Sequence, residues 1–282
     1  MDKLGIMQGR LLPPVDNQIQ AFPGDNWRNE FPICKKLGLG CMEWIFEYKT
    51  MELNPFYSDD GLKEMMHISD LYTVRIGSLL ADYFMEKKLF GENSSEIKKS
   101  VEMLFFIIDQ CKKCDIPIIE IPLVDSSALK TDSDKKQLIK NLKKPLKYAA
   151  EQGIDISLET SLPPEEFREL ILNFKPLDLK INYDMGNSAS LGFDSKKEIE
   201  LLGEFIANVH IKDRVIGGGT VPLGFGDTDF KTVFTGLKKI NYSGDLILQA
   251  ARQDIDENME KKDIIKTIKD YLAFIEPYIK EI

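Results

Sequence analysis

The feature that most constrains this chain is an eightfold alternation of short apolar runs with longer amphipathic ones. The short runs are β-branched or aromatic and only a few residues long, as buried parallel strands are. In order they are Leu4–Met7, Cys41–Ile45, Tyr72–Ile76, Ile116–Ile121, Ile154–Glu159, Leu179–Tyr183, Ile206–Ile211 and Asp245–Gln249. Between them lie stretches with helical spacing. Trp27–Leu37 follows Asn26 as a candidate cap, and Tyr57–Ser69 is the weakest pattern. Ser94–Lys113 carries an Ile97, Val101, Leu104, Ile108 stripe. Asp134–Gln152 stops at Gly153, and Pro163–Phe174 opens on two prolines. Ser195–Glu204, Thr228–Lys239 and Lys261–Lys280 complete the set.

Repeated strand–helix units imply a parallel sheet with right-handed crossovers. Eight of them close a barrel more naturally than they extend an open sheet. The open, doubly wound alternative would need a Gly-rich phosphate turn after an early strand, and none is present. The expected fold is therefore a (β/α)8 TIM barrel, a single domain over residues 1–282. That length suits one barrel of about 250 residues with modest insertions. The Gly-rich stretch Lys212–Thr228 reads as a loop within the barrel.

Charge narrows the partners. The net charge of −9 argues against nucleic acid, whose recognition needs a basic face. No apolar stretch approaches a membrane span and the N-terminus does not resemble a secretory signal, so a cytoplasmic location is expected. Four cysteines fit reduced thiols. Cys111 and Cys114 form a C-x-x-C without the second pair or histidine of a zinc knuckle.

In barrels of this kind the reacting groups stand where strands end at the C-terminal face. The last four strands end in Glu159, in Asp184, in His210-Ile211-Lys212-Asp213, and in Gln249. Two carboxylates, an imidazole and an amide oxygen make a hard, oxygen-rich set. It suits one divalent ion, Mn2+, Mg2+, Co2+ or Zn2+, better than a thiolate metal. A lone carboxylate or histidine at a strand end is commonly solvated or packed; four in succession are harder to assign to chance. Further polar residues stand near strand ends: Glu43, Glu120, Arg10, Arg75 and Arg252. A guanidinium there could fork onto a phosphate or carboxylate, although a salt bridge is its commoner role in an acidic protein. Trp44, Phe46 and Phe84 could wall a sugar pocket or simply fill the core. His67, amid Met65, Met66 and Ile68, reads as a surface or packing residue.

The segments Gly5-Ile6-Met7-Gln8-Gly9-Arg10-Leu11, Glu43-Trp44, Leu158-Glu159, Asp184-Met185-Gly186-Asn187, His210-Ile211-Lys212-Asp213, Leu223-Gly224-Phe225-Gly226-Asp227 and Tyr242-Ser243-Gly244 together resemble the sugar phosphate isomerase/epimerase superfamily with the xylose isomerase-like barrel. Ketose 3-epimerases, hydroxypyruvate isomerases, inosose dehydratases and endonuclease IV belong to it. The resemblance implies that Glu159, Asp184 and His210 are metal ligands. It also implies proton abstraction next to the carbonyl of a sugar or sugar phosphate, through an enediolate. Such relatives usually carry a glutamate as fourth ligand on strand eight; here Gln249 holds that place and cannot act as a base. Glu159 is then ligand and base together, with Glu43 and Lys212 as further catalytic candidates. Arg10, Glu120, Asp213 and Arg252 are candidate substrate contacts. A dehydratase on the same scaffold and a non-catalytic sugar-binding barrel are the alternatives. With two histidines in the chain, a histidine-rich three-zinc nuclease site is not expected. The assembly is left open between monomer and homodimer.

Overall fold

A computed structural model describes residues 3–252 and 263–280. Eight parallel strands close into a barrel: β1 (Leu4–Met7), β2 (Cys41–Ile45), β3 (Arg75–Leu80), β4 (Ile118–Leu123), β5 (Asp155–Thr160), β6 (Lys180–Asp184), β7 (Ile206–Ile211) and, after a two-stranded ribbon, β10 (Asp245–Leu248). β1 pairs with both β2 and β10, which seals the ring. The ribbon is β8 (Asp213–Arg214) against β9 (Thr220–Val221), antiparallel, within the stretch read from sequence as a plain loop.

The outer layer comprises α1 (Glu30–Lys36), α2 (Asp59–Tyr72), α4 (Ser94–Lys113), α5 (Asp132–Gln152), α6 (Pro164–Leu172), α8 (Ser195–Leu202), α9 (Phe230–Lys239) and α10 (Ile264–Ile279), with the short helices α3 (Tyr83–Glu86) and α7 (Met185–Ser190) directly after strand ends. Side-chain caps explain several starts. Thr131 and Asp134 form a reciprocal capping box on α5, a device worth about 1 kcal/mol. Asp194 caps α8, and Asp263 caps α10. Gly153 ends α5 in the left-handed conformation, φ 75°, as expected from sequence. Among the described residues no helix is long and apolar enough to cross a membrane.

Two of the sequence boundaries are corrected here, and a third falls outside the described residues. The third strand is Arg75–Leu80 rather than Tyr72–Ile76, because α2 runs on through Tyr72 and ends at Thr73 with φ 55°. The aromatic and β-branched run 72–74 thus spans a helix end. Arg75 consequently lies at the base of the barrel, where it pairs bidentately with Asp245 at the start of β10. The helix expected over Trp27–Leu37 divides into a 3-10 turn, Gly24–Asn29, and α1, and Asn26 is not its cap. Lys261 and Lys262, expected to open the last helix, lie outside the described residues.

Strand side chains alternate between barrel interior and helix layer. Met7, Cys41, Ile45, Leu80 and Ile247 form a small apolar cluster of their own, separate from the larger core between strands and helices. Trp44, Phe46 and Phe84 are fully buried in that larger core. Trp44 sits edge-on to Trp27 and donates to Asn54, and Phe46 packs on Phe56; none of the three lines the cavity described next.

Candidate metal centre and active site

The alternation that buries Cys41 and Ile45 also turns Glu43 inward, and the same rule applies on the neighbouring strands. Register places Asn182 beside Asn208 and Asp184 beside His210 across β6 and β7. Ser78 faces Glu43, and Ser157 faces Glu120. The upper barrel is therefore filled with polar groups, nearly all fully buried.

His210 is the hub. Its Nε2 lies 2.7 Å from Glu43 Oε1 and 3.1 Å from Glu120 Oε2. Glu43 is held as an acceptor by Ser78 Oγ and by Asn208 Nδ2 at 2.8 Å. A proton on Nε2 directed at Glu43 leaves the Nδ1 lone pair facing the opposite way, toward Glu159 Oε2 at 3.7 Å and Asp184 Oδ2 at 3.8 Å. Donor atoms of Glu159, Asp184 and His210 all lie within 4.8 Å of one another, a spread one divalent ion can span. A carboxylate behind a ligating imidazole is the arrangement that fixes tautomer and ring orientation at metal sites. The residues fit a metal ion on the Nδ1 side. Glu43, Glu120 and His210 also converge, but Glu43 and Glu120 are fully buried behind the ring and do not reach the cavity.

Around this triad, Asn182 Nδ2 lies 3.0 Å from Glu120 Oε1, 3.1 Å from Glu159 Oε2 and 3.1 Å from His210 Nδ1. Asp184 caps α7, its Oδ1 accepting from Asn187 N at 2.7 Å, which leaves Oδ2 for the centre. Asn187 Nδ2 donates to Glu159 Oε1, while Asn187 Oδ1 accepts from Arg214 Nη1 at 2.7 Å. Lys212 Nζ stands 3.2 Å from Asp184 Oδ2 and 3.1 Å from Gln249 Oε1. Gln249 passes its amide N–H to Gln20, and Gln20 passes its own to Asp82, each at 2.8 Å. The lysine stem crosses directly over Gly186: a Cβ there would stand 2.8–3.0 Å from Lys212 Cγ, Cβ and backbone carbon.

The electrostatics follow from this crowding. Burial would lower the His210 pKa, but Glu120 and Glu43 outweigh it and hold the imidazole well above its usual range. Burial, foremost, pushes Glu120 well above the carboxylate range. For Asp184 burial works upward too, yet Lys212 and His210 prevail and keep it below the ordinary value. Further out, burial pushes Asp82 up to about 7 against the Gln20 hydrogen bond.

The centre opens to a cavity of about 440 Å3 at the C-terminal face, within the range of small-molecule sites. Glu159, Lys212 and Gln249 line it, together with Gln20, Asp82, Asn187 and Arg214. Five of the expected site residues are placed elsewhere. Glu43 and Glu120 stand behind His210. Asp213 is fully buried, its carboxylate accepting from the backbone N–H groups of Gly224, Gly226 and Thr228 at 2.8–3.1 Å; it shapes the loop after the ribbon. Arg10 donates to the Ile19 carbonyl, and Arg252 to the carbonyls of Ile19, Leu12 and Gly9. Both arginines thus brace the β1–α1 loop, and neither lines the cavity. Asn182, Asn208 and Asn187 were not anticipated, although an asparagine inside an apolar strand run is itself a sign of a polar barrel interior. Gln20, Asp82 and Arg214 carry no such signal, since only the folded loops bring them in.

Residues 31–273 match the family model described as xylose isomerase-like TIM barrel, and the chain belongs to that family. It is 25% identical over 244 residues to an inosose dehydratase of Clostridium tetani, spanning 75% of this chain and 80% of the relative. It is 26% identical over 249 residues to a putative L-ribulose-5-phosphate 3-epimerase of Haemophilus influenzae, spanning 82% and 86%. The solved structure of the IolI protein with a bound zinc atom superposes with a TM-score of 0.77 at 18% identity, over 99% of both chains, a likeness of fold.

Proposed function

We propose that the protein is a divalent-metal-dependent isomerase or epimerase that removes a proton next to the carbonyl of a sugar. The observation carrying this reading is the convergence of Glu159, Asp184 and His210 Nδ1 within 4.8 Å beside a sugar-sized cavity. Glu159, Asp184 and His210 would hold the ion, with the Gln249 amide oxygen as a neutral fourth donor. Mn2+, Mg2+, Co2+ and Zn2+ suit such a set. When bound, the ion supplies Lewis-acid stabilisation for negative charge developing on a substrate oxygen.

The chain's own groups divide the remaining work. Glu159 takes the proton, oriented by Asn182 and Asn187, which donate to its two oxygens. Lys212, held between Asp184 and Gln249, presents an ammonium to the cavity and supplies the proton that Gln249 cannot. Glu43 acts through His210 and is a positioning residue.

A dehydratase is the second reading. The exchange of a carboxylate for the Gln249 amide favours it, because loss of water needs one base and one acid rather than a matched carboxylate pair; the inosose dehydratase relative agrees with it. The test is to incubate the protein with Mn2+ and a panel of ketoses in D2O. Deuterium entering a carbon-bound position supports proton abstraction, and a new deoxy product identifies the dehydratase. Metal binding with no exchange across the panel, phosphorylated sugars included, would leave a sugar-binding barrel.

A further inference from the structure

The outer wall of the cavity is rich in carboxylates. Beyond the ligand triad it carries four carboxylates, Glu47, Asp82, Glu86 and Asp125, from the segments that follow β2, β3 and β4. Glu47 and Asp82 meet neutral donors: Glu47 Oε2 accepts from Phe22 N at 2.7 Å and Thr50 Oγ1 at 3.3 Å, and Asp82 accepts from Gln20. Glu86 has Lys49 at 3.4 Å, but that lysine is 77% exposed, where an ion pair is strongly screened.

The cations among the described lining residues are Lys212 and Arg214. Lys212 is held by Asp184 and Gln249. Arg214 clamps the Gly218 carbonyl with Nε and Nη2, and reaches Asn187 with Nη1. Arg10 and Arg252, the forks that could have met an anion, are turned onto loop carbonyls. A phosphate ester carries close to two negative charges at neutral pH, and its recognition calls for arginine forks or clustered N–H donors. This wall instead offers carboxylate acceptors, which suit hydroxyl donors.

From this wall we infer that the substrate is an uncharged polyhydroxy carbonyl compound rather than a phosphate ester or sugar acid. The inference rests on the metal-centred reading of the same cavity and adds the substrate's charge.

The test uses Mn2+-loaded protein in D2O with free ketopentoses and ketohexoses, and the same sugars bearing a terminal phosphate. The expected result is exchange with a free sugar at a kcat/KM at least tenfold above its phosphate. That gap should narrow in the Glu86→Gln/Asp125→Asn double variant. It should also narrow as salt rises, since screening relieves repulsion. A phosphorylated sugar exchanging as fast or faster, with a rate that falls as salt rises, overturns the inference while the metal-centred reading stands. Absence of exchange with either form, despite bound metal, refutes that reading and the inference with it.

Discussion

Lys212 Nζ donates to the Gln249 side-chain oxygen at 3.1 Å while lying 3.2 Å from Asp184 Oδ2. An ammonium thus stands between Asp184, one of the proposed ligands, and Gln249, the proposed neutral fourth donor. The pair makes the centre less anionic than a four-ligand carboxylate site, and this bears directly on metal affinity.

Gln249→Glu adds a charge to the proposed donor set. Mn2+ affinity, measured by calorimetric titration, is expected to be kept or tightened. Weakened binding would overturn the place of residue 249 in that set.

Glu159→Gln preserves the shape of the side chain and removes its charge and basicity. Deuterium exchange into substrate is expected to fall more than a hundredfold, the scale on which general-base losses are felt, with an unchanged far-ultraviolet circular dichroism spectrum. Undiminished turnover would remove Glu159 from the chemistry.

Glu43→Gln leaves every proposed ligand in place but takes the carboxylate from His210 Nε2, 2.7 Å away. Loss of such an orienting partner weakens metal binding by about 10- to 100-fold. The same titration, with Glu43→Asp as the conservative comparison, separates positioning from folding. Equal metal affinity in Glu43→Gln would deny Glu43 that role.

Glu30 gives a pH prediction away from the centre. Burial pushes it up to about 7, against the Gly9 and Leu11 amides that it accepts. Between the ordinary carboxylate range and about 7, the folded chain therefore binds a proton that the unfolded chain has released. The contribution is present at low pH and is lost as pH rises through about 7. Glu30→Gln keeps an oxygen for both amides and should flatten the melting temperature between about pH 5 and 8. Part of the slope should survive, because burial also pushes Asp82 and Glu198 up to about 7. An unaltered slope would show that Glu30 titrates normally.

The barrel and the meeting of Glu159, Asp184 and His210 were legible because both rest on short-range patterns. Buried strands read as apolar runs, and Glu159, Asp184 and His210 each break such a run at its C-terminal end. What lay beyond reach depended on where side chains turn once the loops fold. Arg10 and Arg252 looked like anion forks, but carbonyls of the β1–α1 loop, distant from Arg252 in sequence, take their donors. Asp213 follows the strand of His210 and read as a substrate contact, yet the glycines of the next loop close around it. Tyr72–Val74 carried strand-like residues, and only the left-handed turn at Thr73 shows the helix ending there. Glu43 and Glu120 do meet His210, but from behind the imidazole.

Gly186 has a consequence for how such a centre diverges. The stem of Lys212 lies where a methyl group at that position would be, so the aim of the cavity's inner cation is governed by an atom the chain omits. Gly186→Ala would re-aim the ammonium while preserving every ionisable group, and selection could thereby retune the reaction through backbone clearance alone.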